Sequence, residues 1–367
     1  MPTDKLHVGI IGIGAFSVFA HVPQLRETGK AEIVAVSRRD PERLAMAQKA
    51  FNIPEVYTDW GEMLEKANLD AVLVSTPDHV HAQQTLTALD RGLHVLVEKP
   101  MALTSQDAWT MVEAAEKSGH VLMVGYPIRL QGIWQRVKRA LEEGMVGKVR
   151  QINLAYCGYG RWKWETDTMP EDIQEFFREV AEGIRLPFEF FADHGHNWYL
   201  DPAKAGGGLF ANRGTHWVDL MLWLGGAPPA QVVAFTENAG LPVDCFVNVQ
   251  ARLANGVLLS ITSGDAVPQG LLSDDHHVMI IGDQGVLTDD REGSIWIHRD
   301  GDRKKLESGI PDTTVAAGFV STVMEGGQNP APAHEGAYAV ALTEAAYRSA
   351  DEGQIIQIDY PADHKIT

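Results

Sequence analysis

The sequence predicts an α/β fold: an N-terminal doubly wound parallel sheet, then an α+β domain built on a large, mostly antiparallel open sheet. Three observations predict it. From residue 5 to about 126, short runs that are apolar throughout alternate with helical patterns, as expected of parallel strands covered by helices on both faces. After "VGKVRQINLAYCGY" the rhythm changes to alternating runs with no helices between them, as in half-buried antiparallel strands. At 367 residues the chain is too long for one ordinary core of about 150 residues, so two domains are expected, residues 1–126 and 127–367.

The first half reads as repeated β-α-β: "LHVGIIG", a helix to Gly29, "AEIVAVS", a helix from Pro41, "LDAVLVST", a helix to Gly92, "HVLVEKP", another helix, and "VLMVGY". Asp40 before Pro41 has the chemistry of an N-cap followed by N1, and Thr104 and Ser105 offer caps for the next helix. Gly29, Gly92, Gly119 and Gly144 stand where helices should stop. In the second half, "FVNVQARLANGVLLSITSG" is a hairpin whose Asn255-Gly256 pair predicts a type I′ turn. "HHVMIIGDQGVLTDD" and "SIWIHRD" add strands, helices of about 313 to 326 and 334 to 351 follow, and "IIQIDY" closes the pattern. The aromatic, acidic stretch from Gly160 to Pro202 has no clear periodicity and is left without elements.

Composition excludes several partners. A net charge of −18 with no long basic run opposes nucleic acid and anionic membranes. No apolar run approaches the roughly 18 residues that a membrane-spanning helix needs. Two cysteines, Cys157 and Cys245, are too few for a disulfide framework or a zinc ribbon, and "MPTDKLHVGIIG" lacks the pattern of a signal peptide. The expected compartment is the cytoplasm. An open sheet with one apolar face usually finds a cover, so a homo-oligomer, dimer or tetramer, is expected through the C-terminal sheet.

The first strand runs into "GIGAFS", which places Gly12, Gly14 and Ser17 at the positions of G-x-G-x-x-G/A, with Ala15 and Phe16 between. One glycine permits the tight turn, the next lets backbone approach a pyrophosphate, and the following helix start offers free N–H groups. This is the fingerprint of a Rossmann dinucleotide site. Where an NAD-type fold carries an acid on the ribose 2′-hydroxyl, this chain ends its second strand in Ser37-Arg38-Arg39. A hydroxyl and guanidinium suit a 2′-phosphate, which favours NADP, with NAD the competitor.

Ligands of open parallel sheets sit beyond the carboxyl ends of the strands. Here those ends are "STPDHVH", "VEKP" and "VGYPIR", which gathers Thr76, Pro77, His81, Glu98, Lys99, Tyr126 and Arg129 around one crevice beside the cofactor. Lys99 can move the proton that accompanies hydride transfer if burial or a nearby cation brings its pKa down. Glu98 either orients the lysine or faces the nicotinamide ribose. The pairs His194/His196 and His276/His277 invite a metal, but no third ligand stands at a zinc-like spacing, so none is expected. Tyr156, Tyr159, Trp162, Trp164 and Trp198 are candidates to stack on a sugar face, or else core.

These motifs, with "HNWYLDPAKAGGGLFANRGTHWVDLMLWLGG" and the closing "GFVSTVMEGGQNPAPAHEGAYAVALTEAAYRSADEGQIIQI", resemble the glucose-fructose oxidoreductase, inositol dehydrogenase and rhizopine-catabolism oxidoreductases (Gfo/Idh/MocA) from Val8 to about Ile358. The resemblance implies NAD(P)-dependent oxidation or reduction of a sugar, cyclitol or related small molecule. It carries the catalytic lysine onto Lys99 and the histidine of the post-glycine segment onto His216. Asn212 stands where the family commonly has Asp, four residues before that histidine; an amide cannot act as a base, so proton transfer falls to Lys99 or His216. Lys99, Asn212 and His216, with Tyr156, Trp162 and Trp198, are thus the expected substrate contacts, and Asp219 either fixes the His216 tautomer or lies on the surface. Two alternatives use the same fold: a glycosidase that oxidises its sugar transiently, and a non-catalytic sugar- or dinucleotide-sensing regulator.

Overall fold

A computed structural model of the chain describes residues 5–158, 171–192, 198–264, 275–290, 293–361 and 364. Six parallel strands form the first sheet, β1 (Leu6–Ile11), β2 (Ala31–Ser37), β3 (Glu55–Tyr57), β4 (Ala71–Val74), β5 (His94–Val97) and β6 (Leu122–Val124), in the order β3-β2-β1-β4-β5-β6. Every residue of β4 and β6 is buried, which is why these strands read as unbroken apolar runs. The order reverses between β1 and β4, and that switch point opens the crevice at the carboxyl ends. Helices α1 (Val22–Glu27), α2 (Pro41–Phe51), α3 (Trp60–Lys66), α4 (His81–Asp90) and α5 (Ser105–Ser118) cover the sheet.

The caps follow their chemistry. Asp40 Oδ1 accepts from the backbone N–H of Glu42 and Arg43, at 3.0 and 3.1 Å, and Thr104 Oγ1 accepts from Asp107 N at 3.1 Å. Ser105 is the first helical residue, not a cap. Gly119 ends α5 with φ of 71°.

After α6 (Gly132–Glu142), nine strands form the second sheet: β7 (Val149–Cys157), β8 (Pro229–Glu237), β9 (Phe246–Leu253), β10 (Leu258–Gly264), β11 (Asp275–Gly282), β12 (Val286–Asp289), β13 (Ile295–Arg299), β14 (Asp302–Leu306) and β15 (Ile356–Gln357). Their order is β14-β13-β12-β11-β7-β10-β9-β8-β15, antiparallel except for β7 beside β10. Val247, Val249, Ala251 and Leu253 of β9 face inward, while Phe246, Asn248, Gln250 and Arg252 are exposed on the other side. The inner face is packed by the helices Thr215–Gly225 and Ala333–Glu352. Among the described residues no helix is long and apolar enough to cross a membrane.

Three local expectations are corrected. The β9–β10 hairpin forms, but Asn255 does not take positive φ; Gly256 alone does, at 88°. Gly256 N bonds to Leu253 O and Leu253 N to Val257 O, a longer loop closed by one left-handed glycine and not the two-residue type I′ turn. The stretch left without elements contains a 14-residue helix, Glu171–Ile184. Strands β3 and β8 and helix α3 were also missing from the pattern.

The C-terminal chain returns to the first domain. Val124 N donates to Ala331 O at 3.0 Å, and Met123 bridges Pro332 in antiparallel sense, so the open edge of β6 is covered. Arg129, expected to face the cofactor, is 1% exposed and locked in this same seam. Its Nε donates to Asp219 Oδ2 at 2.8 Å, its other nitrogens reach Asp219 Oδ1 and Glu335, and its guanidinium lies over Trp223. Asp219, also 1% exposed, therefore neither orients His216 nor lies on the surface. Removing one member of such a pair leaves the other charged and buried. Asp219→Ala should lower the free energy of unfolding by about 3–5 kcal/mol in urea titrations; a loss within error of zero would mean the triad does not bind the domains.

Candidate active site

The glycine turn is closed by the backbone around it. Gly12 has φ of 88°, and a Cβ there would stand 2.5 Å from Thr76 Cγ2 and 2.6 Å from Ser75 O. Its N–H and that of Ile13 both donate to Ser37 O at 3.0 Å, so the buried Ser37 serves the turn through its carbonyl. Gly14, by contrast, is open: the nearest atom to a built Cβ is Arg38 Nη1 at 3.9 Å. An open glycine before a helix start, whose first N–H groups have no partner within the helix, is a cradle for a pyrophosphate. The residues present therefore fit a dinucleotide. Ser17, buried, does more than fill the third glycine position: its Oγ donates to Gly12 O at 3.1 Å and lies 2.9 Å from Ser75 Oγ. Phe16 is half exposed, edge-on to Phe19 and His21.

At the end of β2, Arg38 Nη1 donates to Ile13 O at 2.8 Å and the guanidinium lies over the Phe190 ring. Arg39 is exposed. Asp40 is committed to its cap and to Arg43 at 2.8 Å; bonds from the Arg43 backbone and side chain hold its carboxyl below the usual range. It is not available as a ribose acid. At this strand end Arg38 and Arg39 follow Ser37, and the carboxylate next in sequence, Asp40, is engaged by its cap and by Arg43.

The crevice residues divide by role. Thr76 Oγ1 donates to Gln84 at 2.6 Å. His81 is wholly buried, with Nε2 at 2.8 Å from Thr76 O and Nδ1 at 2.9 Å from Pro100 O. It braces the turn after Pro77 against the loop after β5 and is closed to ligand, and burial drives its pKa down. Tyr126, 1% exposed, bonds Thr215 Oγ1 at 3.1 Å and meets the His216 ring edge-on.

Glu98 and Lys99 stand at the centre. Glu98 is buried; His21 Nε2 donates to its Oε1 at 2.6 Å, and its Oε2 accepts from Lys99 N at 3.2 Å. Gly125 makes room for it, since a Cβ there would come within 3.0 Å of Oε1. Burial opposes the Glu98 charge, yet the His21 bond and the nearby Lys99 amine hold its pKa below the usual range. Lys99 Nζ donates to the backbone oxygen of Asn212 at 2.9 Å. Burial, with Arg213 adding to it, drives the lysine pKa down, against the pull of Glu98 and Asp78. An amine so depressed can exchange its proton nearer neutrality.

The partner segment is held under tight constraint. A Cβ on Gly207 would collide with Tyr347 at 2.2 Å, and one on Gly208 with Asp244 O at 2.2 Å. Asp244 accepts from the N–H of Gly208 and Phe210, at 2.6 and 3.0 Å, and Tyr347 accepts from Ala211 N at 3.0 Å. These bonds fix the wide π-turn Phe210–Gly214 that carries Asn212 and leads into His216. The structure so brings Lys99 onto the Asn212 carbonyl and, one turn further along the same segment, the His216 ring against Tyr126.

Of the aromatic candidates, Tyr156 is 5% exposed, its hydroxyl accepting from Arg213 at 2.6 Å, and Trp198 stacks on Tyr199. Trp162, Trp164, Tyr159, His194 and His196 lie outside the described residues. His276 packs on Trp217 and His277 bonds Asp289, so this pair does not converge. The sequence reading passed over His21, Asp244 and Tyr347, each of which acts through a partner far away in the chain, and the buried Asp78.

Two family profiles match this chain: an oxidoreductase family with an NAD-binding Rossmann fold (Gfo/Idh/MocA) over residues 6–126, and the C-terminal α/β domain of the same family over residues 138–358. The chain belongs to this oxidoreductase family. Its relatives include the 1,5-anhydro-D-fructose reductase of Ensifer adhaerens, 26% identical over 96% of this chain and 98% of the relative. The NADP+-dependent scyllo-inositol 2-dehydrogenase of Bacillus subtilis is also 26% identical, over 97% of both chains. Among solved structures, the WlbA dehydrogenase of Bordetella pertussis with NADH and UDP-GlcNAcA has a TM-score of 0.74 at 24% identity, covering 97% of this chain and all of that one. The fold expected from the sequence is that of the family.

The His21–Glu98 contact ties the helix after the dinucleotide loop of this oxidoreductase to its central lysine. His21→Ala leaves a buried carboxylate short of its donor, which should cost about 1–3 kcal/mol in unfolding free energy and lower turnover. His21→Gln, still a donor, should retain more of both. Wild-type stability and turnover in the alanine variant would remove this role.

Proposed function

We propose that this oxidoreductase moves a hydride between a nicotinamide cofactor and a secondary alcohol or carbonyl carbon of a sugar, cyclitol or sugar derivative, with Lys99 as the group that exchanges the substrate proton. The observation that supports this reading is the partly buried Lys99 amine, its pKa pulled down by desolvation, just past the carboxyl end of β5 and bonded to the Asn212 carbonyl of the second domain. The bound nicotinamide supplies or takes the hydride. In oxidation Lys99 Nζ accepts the hydroxyl proton as the hydride departs, and in reduction its ammonium donates to the forming alkoxide. His216, one helical turn past Asn212, orients the same oxygen with its ring. The relatives support the substrate class, because they are named for sugar and cyclitol substrates.

NADP is the cofactor we propose. Arg38 reaches the glycine turn through Ile13 O, Arg39 beside it in sequence is exposed, and the carboxylate that follows, Asp40, is consumed by its cap. A guanidinium grips phosphate oxygens by charge-assisted bonds that a ribose hydroxyl does not offer.

Lys99→Met should reduce turnover about a hundredfold or more while cofactor affinity, read by quenching of intrinsic fluorescence, changes little. Unchanged turnover would remove the lysine from the chemistry. Steady-state kinetics with both cofactors should give the lower KM for NADP, and Arg38→Ala with Arg39→Ala should raise that KM about tenfold or more while affecting NAD far less. A strong wild-type preference for NAD would overturn the assignment.

A further inference from the structure

Two carboxyl groups stand beyond the ends of neighbouring parallel strands, Asp78 four residues past the end of β4 and Glu98, beside Lys99, directly past the end of β5, and their surroundings drive them apart. Glu98 is clamped by His21 and the Lys99 backbone, and it stays an anion. Asp78 is different. It opens the 3-10 turn Asp78–Val80 at the carboxyl end of β4, is 6% exposed, and its Oδ2 has no hydrogen-bond partner among the described residues. No ion pair joins it to Lys99, whose Nζ is turned to Asn212 O. A buried carboxyl oxygen without a donor is costly and asks for an explanation.

Among the described residues, the other groups near Asp78 do not supply a counter-charge. Tyr199 is kept neutral, its pKa raised first by burial and then by Asp78 and Glu98. On the short helix Pro202–Ala205, which packs on this turn, Lys204 is paired with Asp201 at 2.9 Å. His79, the next residue, has its pKa lowered by burial, by Lys204 and by Arg39. Burial accordingly pushes Asp78 up to about 8, with Glu98 adding to it and Lys99 opposing. Where neighbouring carboxyl groups are separated in this way, the raised one carries a proton and the lowered one is a fixed charge.

We propose that Asp78 is the proton reserve of Lys99, holding the proton that reloads the amine after Lys99 has protonated a substrate carbonyl oxygen. This rests on the role given to Lys99 above. In reduction, hydride arrives at the carbonyl carbon with its electron pair, the C=O π bond opens, and the oxygen takes a proton from the lysine ammonium. The neutral amine swings on its four-carbon stem from Asn212 O to Asp78 Oδ2 and takes the carboxyl proton. The carboxylate left behind is reprotonated from solvent as product leaves. In oxidation each transfer runs backwards, so the alcohol proton passes through Nζ to an ionised Asp78. Asp78 touches neither substrate nor cofactor in this scheme; it is a positioning residue for a proton.

Two arms test it on the full chain. Infrared difference spectra of wild type against Asp78→Asn should show a protonated-carboxyl C=O band at about pH 6 that is gone by about pH 10, with its midpoint near 8. In steady-state reduction, Asp78→Asn should lower kcat about tenfold or more and lose the alkaline limb near that midpoint. The KM for cofactor and the melting temperature should hold, because the amide has the same shape and no charge to bury. Absence of the acid band overturns the proposal, and so does an asparagine variant with wild-type kcat and pH profile. The infrared arm needs no substrate, so failure of the proposed function, seen as unchanged turnover in Lys99→Met, is distinct from absence of the band.

Discussion

The hydrogen bond from Lys99 Nζ to Asn212 O is the constraint on which the rest of the structure turns. It spans 113 residues of sequence and joins the two domains at a point where a lysine amine is drawn partly out of water. An amine buried in this way costs several kcal/mol unless its surroundings compensate. Glu98 supplies negative charge on the sheet side, and the Asn212 carbonyl supplies an acceptor on the other. Neither side is free to drift. His81 fixes the loop after Lys99 by its bond to Pro100 O, His21 and Gly125 fix Glu98, and Asp244 with Tyr347 fixes the backbone of the Asn212 turn. The Arg129–Asp219–Glu335 triad performs the same service for the domains as a whole, because the helix that carries His216 also carries Asp219.

Much of this was legible in the chain, and the part that was not has a common cause. Strands such as "AVLV" of β4 are apolar on both faces because helices cover both, and a period of one class of residue announces that directly. Gly12 was legible because a positive φ against Ser75 and Thr76 admits no side chain. Asp40 and Thr104 were legible because a cap acts over two or three residues. Arg129 was misplaced for the opposite reason: its neighbours in sequence point it at the crevice, while its charge is answered by Asp219 and Glu335, 90 and 206 residues away. The same distance hides His21 from Glu98 and Asp244 from the Gly208 turn. The helix Glu171–Ile184 carries a regular apolar stripe, Ile173, Phe176, Phe177, Val180, Ala181 and Ile184, that was readable in the chain and was overlooked among the surrounding aromatic and acidic residues. Only Ala181 of that stripe is fully buried, and Phe176 is half exposed where it meets Phe19 of the nucleotide domain.

One feature of the site could not have come from periodicity at all. Each domain delivers its contribution to the lysine from a five-residue π-turn, Ser17–His21 on one side and Phe210–Gly214 on the other. A π-turn inserts an extra residue into a helix, which rotates everything beyond it by about 100° relative to a regular helix. The first turn ends in His21 and brings its ring onto Glu98; the second spreads the backbone ladder at Asn212, whose carbonyl takes the lysine. Wider turns have poorer internal bonds, and both are reinforced from outside, by Ser17 to Gly12 and Ser75 in the first case and by Asp244 and Tyr347 in the second. The aim of the site thus depends on two places where helical regularity is given up. A residue count of 3.6 per turn predicts an uninterrupted helix through both, so the orientation that matters to the chemistry is set by long-range bonds and not by local propensity.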